Sequence, residues 1–183
     1  MYILGVAQDS GALIANWLGA LAMAVADVQR PAGGESDSRL AALLTVDEFP
    51  GIDVRELSQV LGLTHSATVR VVDRLVADAL VTRSRGDGDG RRVAVTGTAT
   101  GRRRAAALRR NRLQALEAVL EPLTSLQRSQ FAGILDTLLR SSSRARSSAR
   151  HICRFCAHSI CTGSACPVGS SVLTNTSVPK EDR

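Results

Sequence analysis

All four cysteines of this 183-residue chain lie in one short stretch near its C-terminal end, HICRFCAHSICTGSACPVG, residues 151–169. Cysteine thiolates are zinc ligands. A Cys-x2-Cys pair can clasp one metal ion from a tight turn, and two further thiolates complete a tetrahedral site. The spacing of Cys153, Cys156, Cys161 and Cys166 fits this pattern and predicts one bound zinc ion. Such a site contributes roughly 10–16 kcal/mol in small peptides, enough to fold a segment that has no core.

Three other interpretations of the cysteine cluster stay open. Arginines lie close to the Cys153-x2-Cys156 pair, and cations lower the pKa of nearby thiols, as in an oxidation sensor. Four cysteines also suffice chemically for an iron–sulfur cluster. The four residues could equally form no site at all, whereas a disulfide staple is disfavoured in a reducing compartment.

Positive charge is concentrated in the second half of the chain. The net charge is +6, and the isoelectric point is near 10.1. Residues 1–82 hold 5 arginines and 10 acidic residues, a net charge of −5, whereas residues 83–183 hold 18 basic and 7 acidic residues, a net charge of +11. This asymmetry favours an anionic partner such as nucleic acid.

The middle of the chain is predicted to form two short helices followed by a β-hairpin. Asp53 and Glu56 have the spacing of a capping box, and the helix that they begin ends at Gly62. Thr64 caps the next helix, HSATVRVVDRLVADAL. The strands VTRSR and RRVAVTG then flank a GDGDG turn. A helix-turn-helix followed at once by a hairpin predicts a winged helix-turn-helix.

Long helices are predicted on both sides of this unit. Apolar residues recur at helical spacing between about 10 and 30, and residues 99–140 contain two further helices. Because these helices are too apolar to stay solvated on a small monomer, we expect them to form a dimer interface. The predicted fold is therefore mainly α with a small β-wing, in which a winged helix-turn-helix at about 38–98 is flanked by dimerisation helices.

The first helix also raises the question of a membrane. Residues 11–28 approach the length of a membrane span. No Lys or Arg precedes Arg30, so the cationic segment of a signal peptide is missing, and Asn16 and Asp27 interrupt the apolar run. We expect a buried or dimer-facing helix in a cytoplasmic protein without membrane contact. A membrane-anchored regulator is the alternative.

Two motifs of the central unit resemble the MarR family of bacterial winged-helix regulators. RELSQVLGLTHSATVRVVDRLVADALVTR is similar to the helix-turn-helix of that family. DGDGRRVAVTGTATGR is similar to its wing, with Asp89 and Arg91 before an alternating strand and Thr98 and Gly101 at the entry to the next helix. The resemblance covers about residues 10–140.

The resemblance implies a homodimer that binds a pseudo-palindromic DNA site. Many members of the family release DNA when a small molecule, often phenolic, binds between the two lobes, and others respond to thiol oxidation. The cysteine-rich tail also resembles tails found in a subset of these regulators. The chain departs from the family at Gly97, where a large apolar residue is usual, and glycine there weakens the packing of the wing strand.

The second helix of the helix-turn-helix is predicted to read DNA. Its inward stripe is predicted to be Val69, Val72, Leu75 and Val76, and its outer face and first turn then approach base edges. Arginine suits guanine in the major groove, and arginine in a wing suits the minor groove. Asp73 is expected to orient a neighbouring arginine. The predicted DNA-binding residues are His65, Ser66, Thr68, Arg70, Arg74, Arg91 and Arg92.

The sequence contains no pattern typical of an enzyme, such as a Gly-x4-Gly-Lys loop or a His-Glu-x2-His motif. We expect a non-enzymatic transcriptional regulator that binds double-stranded DNA as a homodimer and is modulated by a small molecule, a metal or a redox signal. The alternative is a winged-helix and zinc-knuckle module that binds RNA or protein. The predicted organisation is a regulator domain at 1–140, a Ser/Arg linker at 141–150, a metal knuckle at 151–168 and a disordered tail at 169–183.

Overall fold

The computed structural model describes residues 10–29, 34–85, 93–142 and 145–170. These residues form a mainly helical chain with three short strands, which confirms the predicted fold class. In chain order the elements are α1 (Ser10–Gln29), α2 (Asp37–Glu48), β1 (Ile52–Asp53), α3 (Val54–Leu61), α4 (His65–Ala77), β2 (Val81–Arg85), β3 (Val93–Gly97), α5 (Ala99–Leu120), α6 (Ser125–Ser141) and α7 (Arg146–Ile152).

The three strands form an antiparallel sheet in the order β1–β3–β2. In the hairpin, Val81 lies opposite Gly97 and Arg83 lies opposite Val95, while Ile52 of β1 pairs with Val95 from the other side. Val81, Ile52 and Val95 are buried. The sheet therefore turns one apolar face toward the helices, as the alternating pattern of β3 predicts.

The core lies between α2, α3, α4 and the sheet. Leu57 of α3 and both Val72 and Leu75 of α4 are completely buried in one cluster with Val81 and Val95. Each of the two helices places its apolar residues on one face, at the three- and four-residue spacing of an α-helix. This packing fixes the orientation of α4 relative to the hairpin.

The predicted helix ends of the helix-turn-helix are confirmed. The Asp53 carboxylate accepts a hydrogen bond from the backbone N–H of Glu56 at 2.7 Å, and the Thr64 hydroxyl accepts one from the N–H of Ala67 at 3.2 Å. Between the two helices Gly62 has a φ of 65°, the left-handed conformation that glycine adopts without a steric penalty.

Two helices expose large apolar side chains. In α1, Ile14, Trp17, Leu18 and Leu21 are exposed, with 61% of Trp17 accessible. The segment Gly11–Gln29 has a mean hydropathy of 1.6 and is, by length and composition alone, apolar enough to cross a membrane. In the described chain α1 packs against α5. In α6 the exposed apolar side chains are Leu126, Ile134, Leu135 and Leu138.

The predicted linker is the largest difference between the expected and the observed fold. The sequence predicts a Ser/Arg linker at residues 141–150, but α7 begins at Arg146 and packs against α3. A small apolar cluster explains the helix, because the buried Ala149 and Val168 pack with Leu139 and Ile152. Because serine and arginine dominate this segment, its composition does not indicate the few apolar residues that pack.

The start of the predicted disordered tail is also ordered. The backbone N–H of Ser170 donates to the carbonyl of Cys166 at 2.9 Å, and the Ser170 hydroxyl accepts a hydrogen bond from the Arg140 guanidinium at 2.9 Å. The chain up to residue 170 is therefore attached to α6. The remaining residues of that predicted tail, 171–183, lie outside the described residues.

Candidate nucleic-acid interface

Helix α4 presents a polar face to solvent. His65, Ser66, Arg70 and Arg74 are all exposed, whereas the opposite side of the helix is packed into the core. Within the described part of the chain, neither Arg70 nor Arg74 forms an ion pair or a side-chain hydrogen bond. Four of the predicted DNA-binding residues therefore lie together on one surface, on the side of α4 opposite the core.

Thr68 does not belong to this surface, and its prediction as a DNA contact is wrong. Its side chain is completely buried, and its hydroxyl donates to the Thr64 carbonyl at 3.0 Å. Thr68, Val72 and Leu75 share the inward face, so the buried stripe is rotated relative to the predicted one and leaves Val76 39% exposed. A hydroxyl that is paired with the backbone can be buried at little cost, which polarity alone does not reveal.

Asp73 fulfils its predicted role of holding an arginine. Its carboxylate accepts a hydrogen bond from the Arg83 guanidinium at 2.6 Å, and the same guanidinium donates to the Val69 carbonyl at 3.3 Å. An exposed ion pair adds at most about 1 kcal/mol of stability. Its position is more informative, because it connects the first strand of the wing to α4.

The predicted wing contacts Arg91 and Arg92 lie outside the described residues, as does the turn before them. Their contact with the minor groove stays a prediction. The strands on both sides of this turn are described, and their register, with Arg85 opposite Val93, is that of a hairpin.

Several arginines of the second half of the chain pair with acidic residues of the first half. Arg104 donates to Glu35 at 2.8 Å, and Arg109 pairs with Asp47 and also donates to the Leu44 carbonyl at 3.0 Å. These pairs hold α5 against α2. Part of the positive charge of the second half of the chain is therefore paired with acidic residues of the first half, and the rest faces solvent.

The cysteine-rich segment, which we define as residues 145–170, docks on the turn of the helix-turn-helix. The Nδ1 of His151 donates to the Val60 carbonyl at 2.8 Å. A Cβ placed on Gly62 would lie 3.1 Å from the Cε1 of His151, so the ring covers the glycine closely. The segment thus touches the connection that sets the angle between α3 and α4.

A second attachment of the cysteine-rich segment involves Arg112 of α5. Its Nη1 donates to the Phe155 carbonyl at 3.1 Å, and its guanidinium lies 5.6 Å from the centre of the Phe155 ring. The Arg154 guanidinium lies near the same ring, at 5.3 Å. Phe155 also packs against the main core. The Phe155 side chain therefore joins the segment to the domain.

A third attachment joins the segment to the end of α2. The Nδ1 of His158 lies 3.0 Å from a Glu48 carboxylate oxygen, and the His158 ring meets the Phe49 ring edge-on at 5.8 Å between centroids. The Arg150 guanidinium lies 4.7 Å from the centre of the Phe49 ring. Together with His151 and Phe155, these contacts distribute the docking over α2, α3 and α5.

The four cysteine side chains lie close enough to influence one another, with Cys153 next to Cys156 and Cys161 next to Cys166. The hydrogen bond from the Cys153 thiol, with smaller contributions from the nearby Arg112 and His158 side chains, lowers the pKa of Cys156 to about 6. The same hydrogen bond, with burial, raises the pKa of Cys153.

In the second pair, burial raises the pKa of Cys161 to about 11. The sulfurs of this pair also have backbone partners. The Cys161 sulfur donates to the Ala165 carbonyl at 3.7 Å, and the Cys166 sulfur accepts from the Gly169 N–H at 3.1 Å.

The predicted zinc site requires four sulfurs around one point. Among the residues that the structure describes, which include all four cysteines, no three His, Cys, Asp or Glu side chains are grouped so that they could hold a metal ion. Zinc binding stays a prediction.

Sequence reasoning missed the residues that attach the cysteine-rich segment to the domain. Arg112 lies in an arginine-rich helix, and nothing in its neighbourhood distinguishes it from the other arginines. His151 and Phe155 stand close to cysteines in the sequence, and nothing local indicates a contact with the domain. Their partners lie 91 and 43 residues away in the sequence, and no local pattern connects such distant residues.

Comparisons with known proteins agree with this geometry. Residues 36–92 match the model of the MarR family. A MarR protein from Peptoclostridium difficile is 19% identical, with a TM-score of 0.57 over 77% of this chain and 93% of that one. The PcaV transcriptional regulator from Streptomyces coelicolor, solved with its natural ligand, is 23% identical, with a TM-score of 0.51 over 78% of this chain and 100% of that one.

A third solved structure, BpsR from Bordetella bronchiseptica, was described for the regulation of its DNA binding by 6-hydroxynicotinic acid. It is 16% identical, with a TM-score of 0.54 over 69% of this chain and 98% of that one. A comparison with curated proteins finds no match. The solved structures share the fold, and the family model covers the helix-turn-helix with its first wing strand. Residues 36–92 thus match the MarR family model, and the described chain has the fold of solved MarR-type transcriptional regulators.

Proposed function

We propose that this protein is a cytoplasmic transcriptional regulator that binds a pseudo-palindromic operator as a homodimer and catalyses no reaction. The observation that carries the proposal is the exposed face of α4, where Arg70 and Arg74 stand beside the first-turn residues His65 and Ser66. Helix-turn-helix proteins insert this part of their second helix into the major groove. The family match over residues 36–92 supports the same role for α4 here.

The apolar helices at the two ends of the domain support the homodimer. Ile14, Trp17, Leu18 and Leu21 recur at the spacing of one helix face, and all four are exposed. α6 exposes a second set of leucine and isoleucine side chains. Contiguous apolar surfaces of this kind mark interaction sites, and a second copy of the chain covers both surfaces without needing another partner.

A small cavity at the junction of α1, α2, α5 and the cysteine-rich segment suits an effector. Its volume is about 190 Å³, below the roughly 300–1,000 Å³ of pockets for drug-sized ligands, so it suits a molecule with a single ring. Its walls are mostly apolar and carry one cationic side chain, Arg112, and one acidic side chain, Asp37. We infer that a small aromatic molecule with a polar substituent binds here. The natural ligand of PcaV and the 6-hydroxynicotinic acid of BpsR are precedents in proteins of this fold.

Replacing Arg70 with alanine tests the assignment of the DNA-binding face. We expect this variant to bind duplex DNA from the region upstream of its own coding sequence about tenfold more weakly, since a bidentate arginine–guanine contact contributes about 1–3 kcal/mol. Fluorescence anisotropy with a labelled duplex measures the affinity. The affinity for a duplex of unrelated sequence should change little, because base contacts carry the sequence preference.

Arg110→Ala is the matched control, because it removes the same charge from an exposed position in the middle of α5. Its affinity should stay close to that of the wild-type protein. Equal affinities of the Arg70 and Arg110 variants would show that α4 does not read DNA. The competing function, binding of RNA, would appear as preferential binding of single-stranded RNA over the duplex.

A further inference from the structure

We propose that the cysteine-rich segment closes the effector cavity and that Phe155 contacts the ligand there, a role that rests on the effector site of the proposed function. The segment lies outside residues 36–92, which match the family model, and beyond residue 140, where the resemblance of the sequence to that family ends. A wall from this segment is therefore a feature of this chain that the family match does not supply.

Phe155 is the aromatic residue in the wall of the cavity. Among the described residues, the other lining side chains belong to α1, α2 and α5, and they include Leu40, Leu44 and Leu108. Phe155 itself is half-buried and packs against the main core. Aromatic rings prefer to lie offset-stacked or edge-on against one another, and such a pair is stabilised beyond its buried area. A ligand with a single ring thus finds its aromatic partner on the segment.

The same residue holds the cationic side chain of the cavity. The Nη1 of Arg112 donates to the Phe155 carbonyl at 3.1 Å, and the guanidinium lies 5.6 Å from the centre of the Phe155 ring. A guanidinium carries five N–H donors, so this bond leaves others for the polar substituent of a ligand. Docking of the segment therefore both completes the wall and fixes the position of Arg112.

The segment can open more easily than α2, which also lines the cavity. Within the described residues of the segment, Ala149 and Val168 alone are buried, whereas α2 buries a continuous run from Leu40 to Val46. Regions with few buried apolar contacts open locally at a lower free energy than the core. The wall that Phe155 forms is therefore suited to move aside and admit a ligand.

Ligand binding and docking of the segment must then be coupled. A ligand that contacts both the segment and the helices binds the docked arrangement better than the undocked one, and it favours docking by the same factor. The coupling is measurable from both sides, as ligand affinity and as protection of the segment, and neither measurement needs DNA.

Isothermal titration calorimetry of the full-length protein measures the affinity, with benzoate, phenol and 6-hydroxynicotinic acid as one-ring probes. We expect the wild-type protein to bind at least one of them. For that probe, Phe155→Ala should raise the Kd at least about tenfold, because the apolar contact area of a whole ring is lost. Phe155→Leu, which keeps an apolar side chain for the core, should raise the Kd about two- to tenfold, the size of an aromatic pair contact.

Ile160→Ala is the matched control for these variants. It removes an apolar side chain from the same segment, but Ile160 is 64% exposed and does not line the cavity. Its Kd should equal that of the wild-type protein. The control separates the loss of the cavity wall from a general effect of apolar side chains in the segment.

Limited digestion with trypsin measures docking through cleavage after Arg154. This residue is half-buried, and its guanidinium donates to the His151 carbonyl and lies 5.3 Å from the centre of the Phe155 ring. Cleavage therefore requires the segment to open, and its rate follows the open fraction. With the probe at about ten times its Kd, cleavage of the wild-type protein should slow about five- to tenfold. In Phe155→Ala the same probe concentration should leave the rate almost unchanged.

A wild-type protein that binds none of the three probes would overturn the effector cavity of the proposed function, and the role of Phe155 with it. If a probe binds the wild-type and Phe155→Ala proteins equally, or leaves cleavage after Arg154 unchanged, the cavity stands and the segment is not its wall. If the alanine variant does not fold, an unchanged Kd of Phe155→Leu would overturn the role of Phe155 in the same way.

Discussion

Replacing Leu18 and Leu21 of α1 together with aspartate is expected to convert the proposed dimer into monomers that no longer bind duplex DNA. Both side chains are exposed on the isolated chain, with 55% and 42% of their surfaces accessible. Fully burying an exposed leucine contributes about 1.5–3 kcal/mol, so the remaining burial of these four half-exposed leucines of a dimer contributes about 3–6 kcal/mol. Aspartate would remove this contribution and place like charges in the interface. Sedimentation velocity measures the mass directly.

The control for this prediction is Asn16→Asp, which adds one negative charge to the same helix at an exposed polar position with almost no change in shape. This variant should remain dimeric and bind DNA. A dimer that survives the double substitution would show that α1 does not form the interface. Transfer of the wild-type protein to a membrane fraction, lost in the double variant, would favour the membrane-anchor alternative for α1.

Replacing Gly101 with alanine is expected to destabilise the fold by more than about 3 kcal/mol, the upper end of the cost of overpacking. A Cβ on Gly101 would lie 1.9 Å from the backbone carbonyl oxygen of Leu80, far closer than atoms in contact can be. The same oxygen accepts hydrogen bonds from the N–H and hydroxyl of Thr98, at 3.0 Å and 3.2 Å. The start of α5 therefore cannot move away without breaking these bonds. Urea unfolding measures the change in free energy.

Gly133→Ala supplies the matched control in α6. Nothing lies within 4 Å of a Cβ at that position, so the substitution should stabilise the protein by about 0.5–1 kcal/mol, the usual difference between alanine and glycine in a helix. We therefore expect Gly101→Ala to lower the free energy of unfolding and Gly133→Ala to raise it. A Gly101→Ala variant as stable as the wild-type protein would contradict the close packing of α5 on the backbone of Leu80, between α4 and β2.

The helix-turn-helix was predictable because its signals are local. The side chains of Asp53, Thr64 and Thr98 each accept a hydrogen bond from the backbone N–H three residues later and so cap the helix that follows. Gly62 ends α3 because glycine adopts a positive φ without strain. In each case the residue type and its spacing determine the structure within one turn of helix. The resemblance to the MarR family pointed to Gly101, but only the structure shows the carbonyl that makes a side chain impossible there.

Two predictions failed because they depended on information that is not local. The polarity of Thr68 predicts the outer face, but the packing of α4 on the core places this side chain in the buried stripe, where its hydroxyl donates to the Thr64 carbonyl one turn earlier. The segment before the cysteines was assigned to a linker by composition, but α7 finds its partners on α3 and α6. Both outcomes depend on contacts between residues that are far apart in the chain, and no local sequence pattern reveals such contacts.

The salt dependence of duplex binding tests the central claim, that the chain is a DNA-binding dimer, most directly. The affinity of the reduced protein for DNA upstream of its own coding sequence should be measured by anisotropy across a range of salt concentrations, with single-stranded RNA as the competitor. We predict saturation at two chains per duplex, an affinity that falls steeply as salt rises because phosphate contacts release counterions, and weak competition by RNA. Absent or salt-insensitive duplex binding, or tighter binding of the RNA, would contradict the claim.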